Sequence, residues 1–396
     1  MKSMVAQKGN LQLMKKINCS LILHMLLREG SLSRAEIAQK SKLSATTVSS
    51  LVDELIQQGL IDEVGEKSSP GAGRRAIALE ISRDKGYIIG IALGNNYFRG
   101  ALLNFRNEIV YEFTEPVVKG NAEVLEFMIA SINRLLTSKI VKDPLQVKGI
   151  AISTPGVIDD QGEVIVKSTF LRIKDLEIKR MLRREFDYPV VVVNDLKAAA
   201  FAEYFVGNTR TDNLLFLSMD SGIGLGLVID GKVYSGYKGL AGEIGHMLID
   251  PDGQRCEECG QNGCIAMVLT EPAVLARSQE KARQNNSDNV PQTFDELLER
   301  YEAGEELGEE VISQVCVLLV NTLSVFINFL SPELIVLHGW MCHSNKFMNQ
   351  LKKGLSSFPF PLPFEQNRVV PATFEERNFI IGASTLMLHK VFEDYF

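Results

Sequence analysis

Cysteine, histidine and tryptophan are scarce in this chain. Its 396 residues include six cysteines, five histidines and one tryptophan. Cys19, Cys316 and Cys342 lie far from one another in the sequence, which is typical of free thiols and excludes a dense disulfide framework. The other three cysteines lie within nine residues. This cysteine usage predicts a reducing compartment, the cytoplasm.

Long apolar runs are also missing. No run approaches the roughly 20 apolar residues that a membrane-spanning helix needs, and the polar start MKSMVAQKGN does not resemble a signal peptide. Hydrophobic residues make up 45% and charged residues 23% of the chain, as in ordinary soluble proteins. We therefore expect two or three soluble domains and no contact with a membrane.

The net charge of −7 hides an asymmetry between the two ends of the chain. Residues 1–85 contain 13 Lys and Arg against 9 Asp and Glu, a net charge of +4, whereas the remainder carries −11. This difference favours a polyanion as the partner of the first segment only.

Residues 1–85 have the pattern of a helix-turn-helix domain. A first helix is predicted over residues 15–29, with one apolar face made of Ile17, Leu21, Ile22, Met25 and Leu26. Ser33–Glu36 has the form of a capping box, which predicts a second helix ending near Ser41. Ser44 is predicted to cap a third helix that ends at Gly59. Three short helices with tight turns are typical of this DNA-binding fold.

The third helix would be the recognition helix. Small residues that lie outside the apolar face of this helix could approach base edges and phosphates in the major groove. These candidate DNA contacts are Ser44, Ala45, Thr46, Thr47, Ser49 and Ser50. The simpler alternative is that these side chains only cap and solvate the helix.

A wing is predicted after the third helix. Residues 60–64 and 76–79 are expected to form two strands that flank a glycine-rich loop containing Arg74 and Arg75. Two arginines on such a loop suit a narrow, strongly negative minor groove. The competing interpretation is a mobile linker between domains.

A histidine and three cysteines are spaced like zinc ligands. His246, Cys256, Cys259 and Cys264 read His-x9-Cys-x2-Cys-x4-Cys. Zn²⁺ favours tetrahedral Cys3His sets, and a set of four protein ligands leaves no open position for hydrolysis. The residues therefore predict a structural zinc ion, the alternative being cysteines that act as small apolar residues of a loop.

The remainder of the chain repeats one pattern. Tyr87–Gly94 and 98–104 read as a strand, a turn and a returning strand, and 214–218 and 222–229 read the same way. This repetition predicts a duplicated α/β body whose two lobes face a cleft. A helix over 380–392 is expected to pack back on the first lobe.

These motifs together resemble the ROK family of repressors and sugar kinases, in its winged-helix repressor branch. The resemblance covers nearly the whole chain and is carried by 153–159 (STPGVID), Asn194-Asp195, 221–226 (SGIGLG), 242–246 (GEIGH) and the cysteine cluster. It implies an actin-like, sugar-kinase-like two-lobe α/β body with an N-terminal winged helix-turn-helix. The implied division is 1–85 for the head, 86–193 with 380–396 for the first lobe, and 194–379 for the second lobe, with the zinc loop and the dimerisation surface.

The resemblance also implies roles for single residues. Asp195 matches the base of the family's kinases, and Asn194, Asp195, Glu243 and His246 match its sugar-binding residues, His246 also serving as a zinc ligand. The phosphate-binding elements depart from the family. Ala92 stands where the family has an aspartate, Asn95 and Asn96 replace a glycine-rich loop, and His338 replaces a small residue. Ala266 likewise stands where a sugar-contacting glutamate is usual.

The resulting hypothesis is a transcriptional repressor of carbohydrate-utilisation genes without enzymatic activity. As a homodimer, or possible tetramer, it would bind double-stranded operator DNA under the control of a sugar or sugar phosphate in the cleft. An active sugar kinase with a DNA-binding head and a regulator controlled by a protein partner are the alternatives. A further alternative is that Asn194, Asp195 and Glu243 only hold loops.

Overall fold

The computed structural model describes residues 11–67, 76–159, 161–208, 211–257, 259–286, 289–359 and 365–394. The head contains three helices and three strands: α1 (Leu11–Glu29), β1 (Leu32–Ser33), α2 (Arg34–Ser41), α3 (Ala45–Gln57), β2 (Ile61–Lys67) and β3 (Ala76–Ile81). β3 pairs antiparallel with both β2 and β1. The predicted three helices and the wing strands are confirmed, whereas β1 was not foreseen.

Both predicted helix caps of the head are present. The Ser33 hydroxyl accepts a hydrogen bond from the Glu36 amide at 3.2 Å, and the Glu36 carboxylate accepts one from the Ser33 amide at 2.7 Å. Ser44 accepts a hydrogen bond from the Thr47 amide at 3.1 Å. Each bond satisfies an amide that the first turn of a helix leaves without a partner.

The apolar face predicted for α1 is partly wrong. Ile17 and Leu21 are 56% and 38% exposed, whereas Cys19 and Leu23 are buried. The buried face begins at Cys19 and follows the spacing i, i+3, i+4, i+7. The predicted face combined some residues of this buried face with residues of the exposed face beside it. The burial is decided by packing, because α1 contacts α3 and also the body of the protein.

The first half of the body is built on one five-stranded sheet. Its elements are β4 (Tyr87–Leu93), β5 (Tyr97–Asn104), β6 (Ile109–Pro116), α4 (Asn121–Leu136), β7 (Val147–Thr154), β8 (Val157–Ile158), β9 (Ile165–Ser168), β10 (Ile173–Leu176), α5 (Ile178–Glu185) and β11 (Val190–Asn194). The strand order is β11-β7-β4-β5-β6, and β8, β9 and β10 form a separate small sheet. β4, β7 and β11 are parallel, whereas β5 and β6 return antiparallel.

The second half repeats this topology. Its elements are α6 (Asp195–Val206), β12 (Leu214–Met219), β13 (Ile223–Ile229), β14 (Lys232–Val233), α7 (Ala266–Leu269), α8 (Glu271–Gln284), α9 (Phe294–Ala303), α10 (Glu306–Leu330), β15 (Leu334–Gly339), α11 (Asn345–Ser357), β16 (Val369–Pro371) and α12 (Asn378–Asp394). The strand order β16-β15-β12-β13-β14 has the same parallel and antiparallel pairs as the first sheet. The predicted duplication is confirmed.

Helices α6 and α12 join the two sheets and the head. α12 lies against β4 and β7, as predicted, and it also packs along α6 and contacts α1. α6 contacts strands of both sheets. One apolar core therefore runs from the head into the body, so the division at residues 85, 193 and 379 stays a prediction.

Among the described residues one helix, α10, is long and apolar enough to cross a membrane. In the most apolar 18-residue window of α10, 61% is buried inside the protein. Val311, Val315 and Leu319 on one side of α10 belong to the core of the second half. A buried core helix passes the same test of length and composition, so this is weak evidence for a membrane span.

Gly382→Ala is expected to destabilise the protein. A Cβ at residue 382 would overlap the carbonyl oxygen of Ala198 on α6, so the two helices would have to separate. We expect a loss of about 1–3 kcal/mol in the free energy of unfolding, although alanine is otherwise the better helix former. Urea denaturation provides the measurement. Gly354→Ala is the matched control, because its Cβ would meet only a methyl group of Val320; equal stability losses in both variants would contradict the prediction.

Candidate functional site

The carboxyl ends of the parallel strands meet at one edge of the first sheet. β11 ends at Asn194 beside the end of β7 at Thr154. The Asn194 side chain caps α6 by accepting hydrogen bonds from the amides of Leu196 and Lys197 at 3.1 and 3.2 Å. Its Nδ2 donates to the carbonyl oxygen of Gly156 at 3.0 Å. Such edges are the usual place of ligand clefts in α/β folds.

Asp195 and Glu243 line this cleft together with Asn194. Burial raises the pKa of Asp195 to about 7, and the negative charge of Glu243 acts in the same direction. The Leu196 amide, at 2.9 Å from Asp195 Oδ1, partly opposes the shift. A carboxyl group with this pKa is present in both protonation states at neutral pH, so it can both donate and accept hydrogen bonds. Three of the four predicted sugar-binding residues are thus brought together.

His246, the fourth predicted sugar-binding residue, lies beside the cysteines instead of among the residues that line the cleft. Its Nδ1 is 3.7 Å from the Sγ of Cys256. In the described part of the loop, the ligand atoms of His246, Cys256, Cys259 and Cys264 all lie within 4.8 Å of one another. The structure therefore brings the four predicted zinc ligands to one point.

The geometry of this loop fits a tetrahedral zinc ion. Zn–S bonds of about 2.3 Å give a tetrahedron with edges of roughly 3.7 Å, and the sulfurs of Cys259 and Cys264 are 3.2 Å apart. A hydrogen bond from the Gln261 amide lowers the pKa of Cys259, which favours the thiolate that zinc requires. Gly263 is necessary for the tight turn, because a Cβ there would overlap the carbonyl oxygen of Asp250. The donor set could hold zinc, and no hydrolytic position would remain.

The opposite half of the cleft is lined by Ala92, Asn95, Asn96 and His338, the four residues that the sequence predicts to depart from the family's phosphate-binding elements. Asn95 Nδ2 donates a hydrogen bond to the Ser221 hydroxyl at 3.2 Å. The Asn95 side chain thus joins the loop after β4 to the loop after β12.

Three acidic residues of this half were not found from the sequence. Asp220 and Glu376 line the cleft, and Glu271 lies close enough to interact with both. Burial raises the pKa of Asp220 and raises that of Glu271 to about 7, with Asp220 adding to the second shift. Asp220 directly precedes the Ser221 loop, a position that could have drawn attention. Glu376 carries no local signal.

The predicted recognition helix presents its polar side to solvent. Ser44, Ala45, Thr46 and Ser50 are exposed, Thr47 and Ser49 are half-buried, and Val48 between them is buried. Ser44 also caps α3 and bonds the hydroxyls of Thr46 and Thr47. Arg74 and Arg75 lie outside the described residues. The assignment of these residues to DNA contacts stays a prediction.

The Asp195→Asn variant is expected to be more stable than the wild type above pH 7. Because folding raises the pKa of Asp195 to about 7, ionisation of this side chain destabilises the folded state progressively as the pH rises from about 4 to 7, and the loss is complete above pH 7. The difference should vanish as the pH falls towards the ordinary carboxyl pKa of about 4, where both states are protonated. Thermal unfolding from pH 4 to 8 is the measurement, with exposed Asp252→Asn as the control. A difference that does not change with pH would contradict this assignment.

Comparisons with known proteins agree with the geometry. Residues 88–390 match the model of the ROK family, and residues 16–75 match that of the MarR family. The xylose repressor of Caldicellulosiruptor bescii is 27% identical over 390 residues, which cover 96% of this chain and 97% of that protein. The "DNA-binding transcriptional dual regulator NagC" of Escherichia coli K12 is 26% identical over 347 residues, which cover 87% of this chain and 85% of that protein.

A solved structure shares the whole architecture. The crystal structure of a ROK family transcriptional regulator, described as a homolog of the E. coli MLC protein, has a TM-score of 0.79 at 24% identity and covers 96% of this chain and 97% of its own. This likeness confirms the predicted two-lobe body with its winged head. Because the family model matches most of the residues, the chain belongs to the ROK family.

Proposed function

We propose that this protein is a sugar-responsive transcriptional repressor of carbohydrate-utilisation genes that works in the cytoplasm. The observation that carries the proposal is the continuous core between a winged-helix head and a two-lobed body with a polar cleft. Relatives named as a xylose repressor and as the regulator NagC support this assignment.

The head would bind operator DNA through α3 and the wing. Exposed small side chains at the start of α3 allow close approach to base edges in the major groove. Arg74 and Arg75 lie in the sequence between the paired strands β2 and β3, and arginines at such a position suit the minor groove. Such contacts to phosphates make the affinity fall with salt concentration.

A sugar would bind between Asn194, Asp195 and Glu243. Sugars carry many hydroxyl donors, and two carboxyl groups in one wall provide the matching acceptors. The names of the relatives point to a pentose such as xylose or to an N-acetylated hexosamine as the first ligands to test. His246 stays a predicted sugar contact as well as a predicted zinc ligand.

Loss of kinase activity is part of the proposal. Asn95 bridges to Ser221 where a phosphate would have to enter, and Ala92 offers no carboxylate for a magnesium ion. Asp220 and Glu376 add negative charge to the same half of the cleft, which disfavours a nucleotide triphosphate. The remaining alternative, a sugar kinase with Asp195 as the base, requires ADP release with a hexose or pentose.

Helix α6 would carry the sugar signal to the head. Its first residues form the cleft wall, and near its other end Tyr204 contacts α1. The Arg28 guanidinium lies 4.7 Å from the Tyr204 ring centroid and donates to the Tyr204 hydroxyl at 3.3 Å. On the same side of α1, His24 stacks on His389 of α12 with ring centroids 3.9 Å apart. A ligand that prefers one closure state of the cleft would thereby shift the position of the head.

We further propose that the protein is a homodimer. The outer side of α10 exposes Val317, Val325 and Phe329, with Phe329 84% exposed. These residues recur at helical spacing opposite the buried side of α10, and a second copy can cover them by two-fold symmetry. A dimer would place two heads on the two half-sites of a pseudo-palindromic operator.

DNA binding can be measured by fluorescence anisotropy with the DNA upstream of its own and neighbouring genes. We expect selective, salt-sensitive binding that changes on addition of xylose, N-acetylglucosamine or a sugar phosphate. Phe329→Asp should weaken binding by separating the protomers, and Thr46→Glu should abolish it by repelling phosphate without altering sugar binding. Binding that shows no sequence preference at any salt concentration would refute the repressor proposal.

Arg28→Gln is expected to uncouple the sugar response. The variant should bind the sugar with unchanged affinity, because Arg28 is remote from the cleft, but the sugar-induced change in operator affinity should fall by about fivefold or more. Isothermal titration and anisotropy measure the two quantities. Lys16→Gln, at a half-buried position of the same helix, is the matched control. A normal response in Arg28→Gln would exclude this route.

Cys264→Ser is expected to remove zinc and to loosen the loop. Zinc content, measured by mass spectrometry of the purified protein, should fall from about one ion per chain. The thermal midpoint should fall with it, since a structural metal stabilises only the folded state. Cys342→Ser, outside the loop, should retain the metal. A wild-type protein that contains no zinc after purification with zinc would contradict the metal assignment.

A further inference from the structure

A second group of possible metal ligands lies in the half of the cleft opposite the predicted sugar residues. Asp220 follows β12, His338 lies on β15, and Glu376 precedes α12. One ligand atom from each of the three lies within 4.8 Å of the others. We call these three residues the His338 cluster. It shares no residue with the cysteine loop.

The ring of His338 is fixed and has one nitrogen available. His338 is 5% exposed, and its Nδ1 is hydrogen-bonded to the Ser218 hydroxyl at 3.1 Å. Its Nε2 is 3.8 Å from Glu376 Oε1, longer than a hydrogen bond, and has no closer polar partner in the described part of the chain. A histidine that uses one ring nitrogen in a hydrogen bond can bind a metal ion through its other ring nitrogen, and this is the arrangement of His338 on the wall of the cleft.

In each of the two carboxylates of the cluster, one oxygen accepts a hydrogen bond from a neighbouring residue. The Trp340 amide donates to Asp220 Oδ1 at 3.1 Å, and the Tyr97 hydroxyl donates to Glu376 Oε2 at 3.0 Å. The second oxygen of each lies beside His338: Asp220 Oδ2 is 3.5 Å from Nδ1, and Glu376 Oε1 is 3.8 Å from Nε2. Outer hydrogen bonds that orient each ligand and leave one atom open are typical of metal sites.

The negative charge around the cluster favours the binding of a cation. Asp220 and Glu271 are half-buried and Glu376 is exposed, which gathers three acidic groups in one region of the cleft. The arginines on this side, Arg99 and Arg377, are both paired with Glu112 on β6. Negative groups gathered away from water are costly unless a positive charge joins them.

We propose that the His338 cluster binds one divalent transition-metal cation, with His338 Nε2 and one oxygen each of Asp220 and Glu376 as ligands. The imidazole distinguishes this site from a magnesium site, which takes oxygen ligands, and its lack of thiolates distinguishes it from the cysteine loop. Mn²⁺, Co²⁺, Ni²⁺ and Zn²⁺ suit such a donor set.

The cation would join the two halves of the body. Asp220 and His338 belong to the second sheet, whereas Glu376 is held by Tyr97 of the first. A metal that binds both sides favours the closed cleft, and by linkage any ligand that needs the same closure binds the metal-loaded protein more tightly. Metal binding itself is independent of the repressor assignment, because it can be measured without DNA or sugar.

The test uses full-length protein loaded with one equivalent of zinc per chain, which the thiolates of the cysteine loop take up first, and then dialysed. Mn²⁺ is the weakest binder of the divalent series, so it cannot displace zinc from the thiolates of the cysteine loop. Electron paramagnetic resonance measures the Mn²⁺ that stays free in solution, so the loss of this signal gives the amount bound to the second site. The absorption spectrum of added Co²⁺ is recorded in parallel. We expect one additional ion per chain and Co²⁺ bands without the strong thiolate absorption of a cysteine site.

Glu376→Gln should weaken this additional binding at least about tenfold, and Tyr97→Phe, which removes the hydroxyl that donates to Glu376 and accepts from Arg99, about tenfold. Glu375→Gln is the matched control, with the same charge change at the neighbouring residue outside the cluster, and should bind like the wild type. Circular dichroism verifies that the variants are folded. Absence of a second ion with both metals, or equal binding by the Glu376→Gln and wild-type proteins, would overturn the proposal.

Discussion

The close packing of α6 against α12 is the contact on which the rest of the structure depends. Gly382 lets the two helices approach until the α12 backbone touches the carbonyl oxygen of Ala198. On its other side α6 lies against β13, where a Cβ at Gly226 would overlap the carbonyl oxygen of Leu196. The two sheets, the cleft at the start of α6 and the helix α1 of the head are therefore held by one pair of helices. Small residues at these crossings matter because packed interiors leave no space for an added methyl group.

The cleft has two halves of different chemistry. Around Asn194 and Asp195, capping bonds fix the loops, and burial holds one carboxyl group at a pKa of about 7, so that it can donate as well as accept hydrogen bonds. In the opposite half, an asparagine closes the gap between two loops, and acidic side chains surround His338. Under the proposed function, this cleft would serve ligand recognition in place of phosphoryl transfer.

Much of the fold could be predicted from the sequence, because its signals are local. The caps at Ser33 and Ser44 fixed two helix starts, and the repeated strand–turn–strand pattern indicated the duplicated sheets. The candidate ligands of the cysteine loop were also predictable, since they lie within one short segment. The burial of α1 was not, because Ile17 and Leu21 are apolar yet lie on a side that no other part of the described chain covers.

The sequence by itself determined the helix caps at Ser33 and Ser44, the family, and the approach of His246 to the three cysteines, since each depends on residues that are neighbours in the chain. Only the tertiary structure decided that Asp220, His338 and Glu376 meet, because they come from separate strands and a turn joined by long connections. It also decided the pKa of Asp195 and the contact of Arg28 with Tyr204. Desolvation and long-range contacts arise from which surfaces pack together, and local sequence patterns do not encode that choice.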